Sequence, residues 1–168
     1  HRLIKAGRDT EWGRVHELTA VREPADYRKF HPVQDYEELL PRIKRMMGGE
    51  SDVLWPGLVS WFSKSSGTTS ERSKYIPVSD ANLKKCHTRG NWDASTFLYR
   101  DFPEATIFEG KSLMMGGSLN RVHRQPDVFA GDVSAIMIKN MPVVARPFFT
   151  PDFETALLED FEQKLEKM

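Results

Sequence analysis

The sequence has a single cysteine, Cys86, and no apolar run that approaches the length of a membrane span. One thiol cannot form a disulfide within the chain, and a helix needs about 20 apolar residues to cross a bilayer. Basic and acidic side chains balance at 24 each, so no overall charge attracts the chain to nucleic acid or to a membrane surface. These absences favour a cytoplasmic protein that binds neither nucleic acid nor membrane.

Two patterns with known chemistry are also missing. The five histidines, at positions 1, 16, 31, 87 and 123, lack the short spacing of metal-ligand pairs, so no resident metal site is expected. The chain has no Gly-Lys pair directly before Ser or Thr, which disfavours a P-loop kinase or GTPase. Cys86 and His87 would point about 100° apart on a helix, so we interpret Cys86 as a core residue and not as a nucleophile.

The start of the chain suggests part of a larger protein. At 168 residues it is about the size of one domain and can bury a core. It begins at His1, without an initiating methionine, so we expect this start to be a boundary within a longer polypeptide. No repeat or low-complexity linker divides the chain, and we expect residues 1–168 to form part of one domain.

Two early segments have helical patterns. Residues 2–18 are compatible with one helix, although Gly7 and Gly13 weaken that prediction. Asp35 and Glu38 form a capping-box pattern, and the apolar residues that follow keep the spacing of one helix face until a pair of glycines ends it. The residues on that face are Tyr36, Leu39, Leu40, Ile43, Met46 and Met47.

Later segments mix strand and helix patterns. Residues 75–78 predict a short strand, whose Pro77 suits only a sheet edge or a strand end. Ser79 can cap a following helix. The apolar face of that helix would contain Leu83, Cys86, Gly90, Ala94, Phe97 and Leu98.

The remainder of the chain is less regular. Thr150 as a cap, followed by apolar residues every four positions up to Leu165, predicts one amphipathic helix at the end of the chain. Residues 58–62 and 133–138 are compatible with either helix or strand, and 113–118 resembles a strand that enters a glycine turn. Elements in this order predict an α/β fold, rich in helix and with short strands.

A hydroxyl-rich segment carries the most specific chemical signal: Phe62-Ser63-Lys64-Ser65-Ser66-Gly67-Thr68-Thr69-Ser70-Glu71-Arg72-Ser73-Lys74. Hydroxyls can donate to the oxygens of a triphosphate, a glycine lets backbone N–H groups approach them, and a lysine adds positive charge. The same composition is typical of a solvated surface linker. Composition alone leaves both interpretations open.

The order of residues in this segment resembles the phosphate-binding motif of the adenylate-forming superfamily, which includes firefly luciferase and acyl-CoA synthetases. More narrowly, the chain is similar to the auxin-responsive acyl-acid amido synthetase family of plants and its bacterial relatives. The similarity covers most of the chain. The further segments that carry it are Asp9-Thr10-Glu11-Trp12-Gly13-Arg14, Val33-Gln34-Asp35-Tyr36-Glu37-Glu38, Leu54-Trp55-Pro56-Gly57, Ser73-Lys74-Tyr75-Ile76-Pro77-Val78 and Gly131-Asp132-Val133-Ser134-Ala135-Ile136.

The resemblance implies the N-terminal portion of an adenylate-forming enzyme that uses ATP and Mg²⁺. A carboxylate would attack the α-phosphate, pyrophosphate would leave, and the amine of an amino acid would then displace AMP. By position, the hydroxyl donors to the β- and γ-phosphates would be Ser65, Ser66, Thr68 and Thr69. Gly67 would be the close-approach residue and Lys74 the catalytic cation.

One departure from the family pattern lies within the segment. Many superfamily members have a second glycine where this chain has Ser70-Glu71-Arg72. A carboxylate beside a triphosphate is unfavourable unless it is paired, and we expect Arg72 to pair with Glu71.

The resemblance also implies a substrate pocket. The helix after the segment would help to form the acyl pocket, so Arg89, Asn91 or Trp92 would meet the substrate carboxylate. A solvated helix face is the alternative for these three residues. Gly116-Gly117-Ser118 is either an active-site turn or a strand end, and Arg121, His123 and Arg124 are interpreted as a solvated basic cluster.

The expected partners are a small carboxylic acid, an amino acid and the remainder of the parent chain. The family's adenine and ribose motifs and its mobile C-terminal domain lie beyond this region, so we expect residues 1–168 alone to bind ATP weakly and to catalyse no turnover. Two alternatives remain: a non-catalytic nucleotide-binding or interaction module with the same fold, and an acyl-CoA ligase.

Overall fold

Short helices and shorter strands alternate along the chain. The computed structural model describes residues 2–65 and 73–168. The helices are α1 (Arg2–Gly7), α2 (Glu11–Val15), α3 (Pro24–Phe30), α4 (Tyr36–Met47), α5 (Asp80–Asn82), α6 (Arg89–Asp101), α7 (Val133–Lys139), α8 (Phe153–Ala156) and α9 (Phe161–Glu166), with 3-10 turns at Leu18–Ala20 and Val143–Phe148. The strands are β1 (Trp61–Lys64), β2 (Tyr75–Val78), β3 (Ser112–Leu113), β4 (Leu119–Arg121), β5 (Phe129–Gly131) and β6 (Phe149–Thr150). The predicted helix-rich α/β class is confirmed.

The chain divides into two compact units. Unit 1 consists of His1–Ser79 with Arg121–Phe129, and unit 2 consists of Asp80–Asn120 with Ala130–Met168. None of the helices in the described ranges is long and apolar enough to cross a membrane.

The predicted helix at residue 36 is confirmed as α4. The Asp35 carboxylate accepts the Glu38 N–H at 3.0 Å, and the Glu38 carboxylate accepts the Asp35 N–H at 2.9 Å. This reciprocal pair satisfies two N–H groups that the first turn leaves free. Gly48 forms the C-cap, and Ile43 and Met46 are buried on the predicted face.

The single helix expected over residues 2–18 is wrong, because Thr10 starts a second helix. Its hydroxyl donates to the Gly7 carbonyl at 2.7 Å and accepts the Gly13 N–H at 2.9 Å. A Cβ at Gly13 would lie 2.1 Å from the Gly7 carbonyl oxygen, so glycine lets α1 and α2 approach closely. Glu11 then joins α2 to α4, since its carboxylate lies 3.1 Å from Arg42 Nε and 2.7 Å from an Arg45 nitrogen.

The strand prediction for residues 75–78 is confirmed, and so is the edge position of Pro77. The four-stranded sheet has the order β2-β1-β5-β4, which places β2 at one edge. β1 and β2 are antiparallel, with Phe62 opposite Pro77 and Lys64 opposite Tyr75. Residues 54–57 form the expected turn, and the undecided apolar stretch that follows becomes β1 only from Trp61. Phe62 is completely buried in unit 1.

In unit 2, a π-helical segment, Leu83–Thr88, continues α5 into α6. A π-helical turn holds about one more residue than an α-helical turn, so it rotates all later positions relative to the earlier ones. The predicted apolar face is therefore wrong: Leu83 is buried, but Phe97 is 56% exposed. The interpretation of Cys86 as a core residue is wrong for the same reason, since Cys86 is exposed.

The single helix predicted at the end of the chain is also wrong. Thr150 lies in β6, which pairs in parallel with β3 through Phe149 opposite Ser112. Asp152 and Asp160 each accept an N–H three residues later and so start the separate helices α8 and α9. The undecided stretch at 133–138 is helix α7, which buries Ala135 and Ile136.

We expect Asp35→Ala to lower the free energy of unfolding by about 1 kcal/mol, because it leaves the Glu38 N–H without its cap. Urea unfolding of the intact protein, with hydrogen exchange of the α4 amides, measures this loss. Asp35→Asn keeps an acceptor and should lose much less. An equal loss in both variants would contradict the capping role.

Candidate functional site

The β1–β2 hairpin joins the two ends of the hydroxyl-rich segment. The Ser65 N–H donates to the Lys74 carbonyl at 2.9 Å, and the Lys74 N–H donates to Ser65 Oγ at 3.2 Å. Strand pairing therefore fixes the predicted first hydroxyl donor directly beside the predicted cation. The other predicted phosphate ligands, Ser66, Gly67, Thr68 and Thr69, lie outside the described residues, and so do Glu71 and Arg72.

Tyr36, at the start of α4, supports this end of the hairpin. Its hydroxyl accepts the Tyr75 N–H at 2.8 Å, and the Lys74 ammonium lies 5.5 Å from the centre of its ring. A cation at this distance from an aromatic face is attracted to it. Tyr36 therefore helps to set the position of Lys74. Helical spacing predicts only a core position for Tyr36, because a contact across 39 residues leaves no local pattern.

A pocket of about 340 Å³ lies within unit 2. It is lined by Leu83, Thr88, Asn91, Trp92, Ser95, Phe108, Met137, Ile138, Asn140, Met141, Pro142, Val144, Ala145 and Phe149. The lining has no charged side chain and is largely apolar, with a few amide and hydroxyl groups. Such a pocket suits the apolar body of a small organic molecule, and its volume lies near the lower end of the range for ligand pockets.

The three predicted substrate residues have different positions. Asn91 and Trp92 line the 340 Å³ pocket, and the Trp92 ring lies 6.0 Å from the ring of Phe108 on the same wall. Arg89 is absent from the lining, and its guanidinium pairs with Asp93 at 2.7 Å. The π-helical segment just before α6 decides which side chains face the pocket, and sequence spacing gave no sign of it.

The Gly116-Gly117-Ser118 turn is held by internal bonds. The N–H groups of these residues donate to the Ala156 carbonyl at 3.1 Å, to Ser134 Oγ at 3.2 Å and to the Asp132 carboxylate at 2.8 Å, respectively. A Cβ at Gly117 would lie 2.0 Å from Asp132 Oδ2. Since these donors are already used, the N–H groups of the turn are not available to a ligand.

Two histidines that are distant in sequence meet in unit 1. The His16 and His31 rings stack with centres 5.0 Å apart, and Trp12 and Tyr27 pack around them. His31 is only 8% exposed, and neither of its ring nitrogens has a hydrogen-bond partner. Within residues 2–65 and 73–168, no group of three or more His, Cys, Asp or Glu side chains could hold a metal. The pair is thus part of a packed aromatic cluster.

Burial lowers the pKa of His31 from its ordinary value of 6.5, and repulsion from His16 lowers it further. The unfolded chain takes up this proton at a higher pH than the folded chain does. The contribution of neutral His31 to the free energy of unfolding is therefore fully present above about pH 6.5 and decreases as the pH falls towards the pKa of the folded state.

We expect His31→Phe to weaken this acid destabilisation in urea unfolding between about pH 6.5 and 5. His123→Gln, at an exposed position, should leave it unchanged, and an equal effect would contradict the assignment.

The described geometry thus consists of a hairpin that fixes Ser65 beside Lys74, and a neutral pocket lined by the first residues of α6. The model of the GH3 family N-terminal domain matches residues 1–166. The chain belongs to the GH3 family. The predicted relation to acyl-acid amido synthetases is confirmed by this match.

Similar proteins support the same family. The jasmonoyl–L-amino acid synthetase JAR6 of Nicotiana attenuata is 26% identical to this GH3 chain over 98% of the chain and 29% of that protein. The solved structure of GH3.15 acyl acid amido synthetase superposes with a TM-score of 0.73 at 19% identity, over 98% of the chain and 28% of that structure. A structure of AtGH3.15 acyl acid amido synthetase in complex with 2,4-DB gives a TM-score of 0.64 at 22% identity, over 83% of the chain and 24% of that structure. The chain thus spans less than a third of the length of these relatives and shares the fold of their matching part.

Proposed function

We propose that the protein containing this chain is an ATP-dependent acyl-acid amido synthetase. The observation that carries the proposal is the family match across residues 1–166, which includes both the Ser65–Lys74 hairpin and the helix with Asn91 and Trp92. The relatives support the substrate classes, since their names specify acyl acids and L-amino acids. Cys86 is an exposed thiol without a disulfide partner, which favours a reducing cytoplasm.

The reaction has two steps. In the first, a carboxylate oxygen bonds to the α-phosphorus of ATP, the bond to the bridging oxygen breaks, and pyrophosphate leaves with that electron pair. In the second, the uncharged amine of an amino acid attacks the acyl carbon. AMP leaves, the nitrogen loses a proton, and an amide remains.

In this proposal, the hairpin binds the β- and γ-phosphates of ATP, which leave as pyrophosphate. Lys74 supplies positive charge where negative charge builds on pyrophosphate, and Ser65 supplies a hydroxyl beside it. Mg²⁺ usually reaches phosphate sites bound to the substrate with few protein ligands, which fits a segment that is rich in hydroxyls and has one carboxylate, Glu71. When bound, it would neutralise part of the phosphate charge.

We propose further that the 340 Å³ pocket holds the body of the acyl acid. Its walls contain no charge, so they would accept an apolar acyl group but not the carboxylate itself. The amide of Asn91 is a polar group on the lining that could orient the acid. AtGH3.15 has been solved with 2,4-DB, and a small acid of this kind fits the volume.

We expect Lys74→Ala to slow carboxylate-dependent exchange of labelled pyrophosphate into ATP about tenfold or more. The negative charge that develops on pyrophosphate in the transition state then lacks the positive charge of the lysine. The measurement uses the intact protein with a panel of aryl, indolyl and alkyl acids. Lys64→Ala removes the same charge from the other strand of the hairpin and should change the rate little. Thermal unfolding should be similar in both variants.

Two results would contradict the proposal. If no acid supports exchange in a folded protein, the chain is better explained as a binding or interaction module that retains the fold. If exchange occurs but CoA, and not an amino acid, releases AMP, the protein is an acyl-CoA ligase.

We expect Trp92→Ala to raise the KM for the acid about five- to tenfold while the KM for ATP stays the same, because the pocket loses an aromatic wall. Initial rates of AMP release at varied acid and varied ATP measure both constants. Phe97→Ala is a matched control, since Phe97 is an exposed aromatic residue of the same helix that does not line the pocket. Equal effects of the two changes would remove the pocket from the proposal.

A further inference from the structure

A second pocket of about 430 Å³ lies within unit 2, and its lining is charged. Its residues are Lys111, Met114, Arg146, Pro147, Phe149, Thr150, Pro151, Asp152 and Phe153. The apolar part of the lining is firmly held, because Met114, Phe149 and Phe153 belong to one packed cluster with the buried residues Ile138 and Ala156. The pocket therefore has a fixed apolar wall beneath its charged groups.

Strand pairing brings the two cations of this pocket together. β3 and β6 are parallel, with Ser112 opposite Phe149, so both strands begin at the same end of the pair. Lys111 immediately precedes β3, and Arg146 lies in the 3-10 turn that leads into β6. Both residues therefore precede their strands at the same end of the pair, and both line the pocket.

Neither cation has an acidic partner among the residues that the structure describes. In the described part of the chain, Lys111 makes no hydrogen bond or ion pair, and Arg146 contacts the Phe153 ring, with 4.3 Å from the guanidinium carbon to the ring centre. The one carboxylate of the lining, Asp152, is used elsewhere: it accepts the Thr155 N–H at 2.9 Å and lies 3.3 Å from the Thr155 hydroxyl. The pocket thus has one net positive charge that no side chain of the lining neutralises.

We propose that this pocket binds a small organic carboxylate with an apolar body, at a site next to the neutral pocket of unit 2, with which it shares only Phe149 among the lining residues. The carboxylate lies between Lys111 and Arg146, where charge-assisted hydrogen bonds are available. The apolar body lies on Met114, Phe149 and Phe153. Binding of this ligand does not depend on the synthetase reaction, so the inference stands apart from the proposed function.

The lining favours a carboxylate monoanion over a phosphate. A phosphate group needs several convergent donors, but the Met114 N–H already donates to the Thr150 carbonyl at 2.7 Å, and two proline residues in the lining have no N–H to offer. One net positive charge matches one negative charge, and the packed apolar wall matches a ring or a branched chain. Free carboxylic acids and apolar amino acids share this chemistry.

Titration calorimetry of the intact protein tests the site with three probes of similar shape: phenylacetate, L-phenylalanine and neutral phenylacetamide. We expect at least one of the two carboxylates to bind with a Kd of about 1 mM, and the neutral amide to bind about tenfold more weakly or not at all. The double change Lys111→Gln with Arg146→Gln should weaken the carboxylate about tenfold or more. Lys139→Gln removes one exposed positive charge from α7, outside both pockets, and should leave binding unchanged.

The outcomes separate this site from the proposed acyl pocket. If the double variant weakens only phenylacetate, the ligand is a free acid, and if it weakens only L-phenylalanine, the ligand is an amino acid. Both results support the site. Binding that is lost in Trp92→Ala but retained in the double variant would overturn the second site and leave the acyl pocket intact. Absence of carboxylate binding, or equal binding of the amide, would also overturn it.

Discussion

The antiparallel pairing of Trp61–Lys64 with Tyr75–Val78 is the interaction on which the candidate chemistry depends. It places Ser65 and Lys74, nine positions apart, within one mutual pair of hydrogen bonds. The pairing is itself anchored, because Phe62 is completely buried and Val78 nearly so. A phosphate-binding segment needs fixed ends if its donors are to converge, and the buried strands provide them.

Tyr36 extends this constraint from the hairpin to the first long helix. The capping box at Asp35 fixes where α4 begins, and Tyr36 is the first residue of that helix. Its hydroxyl reaches the β2 backbone while its ring lies near the Lys74 ammonium. The capping box that starts α4 thus also helps to place the Tyr36 ring beside Lys74, the predicted catalytic cation.

Local signals account for what the sequence predicted correctly. Asp35, Glu38 and Gly48 form contiguous start and stop patterns for α4, and the position of Pro77 restricts its strand to an edge. The family could also be predicted from the sequence, because its motifs follow each other in order over most of the chain. These features depend on residues within a few positions of one another.

Features that depend on distant pairing or on a changed helical period could not be predicted. α-Helical spacing predicts a buried Cys86, but Cys86 lies in a π-helical segment and is exposed. The regular spacing at the end of the chain predicts one helix, but Asp160 caps a second helix within it. Lys111 and Arg146 share a pocket only through the parallel pairing of two-residue strands, which leaves no periodic pattern in the sequence.

Pro77 and the Tyr36–Tyr75 bond together have a consequence for self-association. Ser65 and Lys74 are hydrogen-bonded across the hairpin. Because backbone groups alternate in direction along an antiparallel pair, the backbone groups of residues 75 and 77 point away from β1. The Tyr75 N–H is taken by the Tyr36 hydroxyl, and Pro77 has no N–H. The outer side of β2 therefore offers no backbone donor to an incoming strand, so this edge is protected against the strand addition that leads to aggregation.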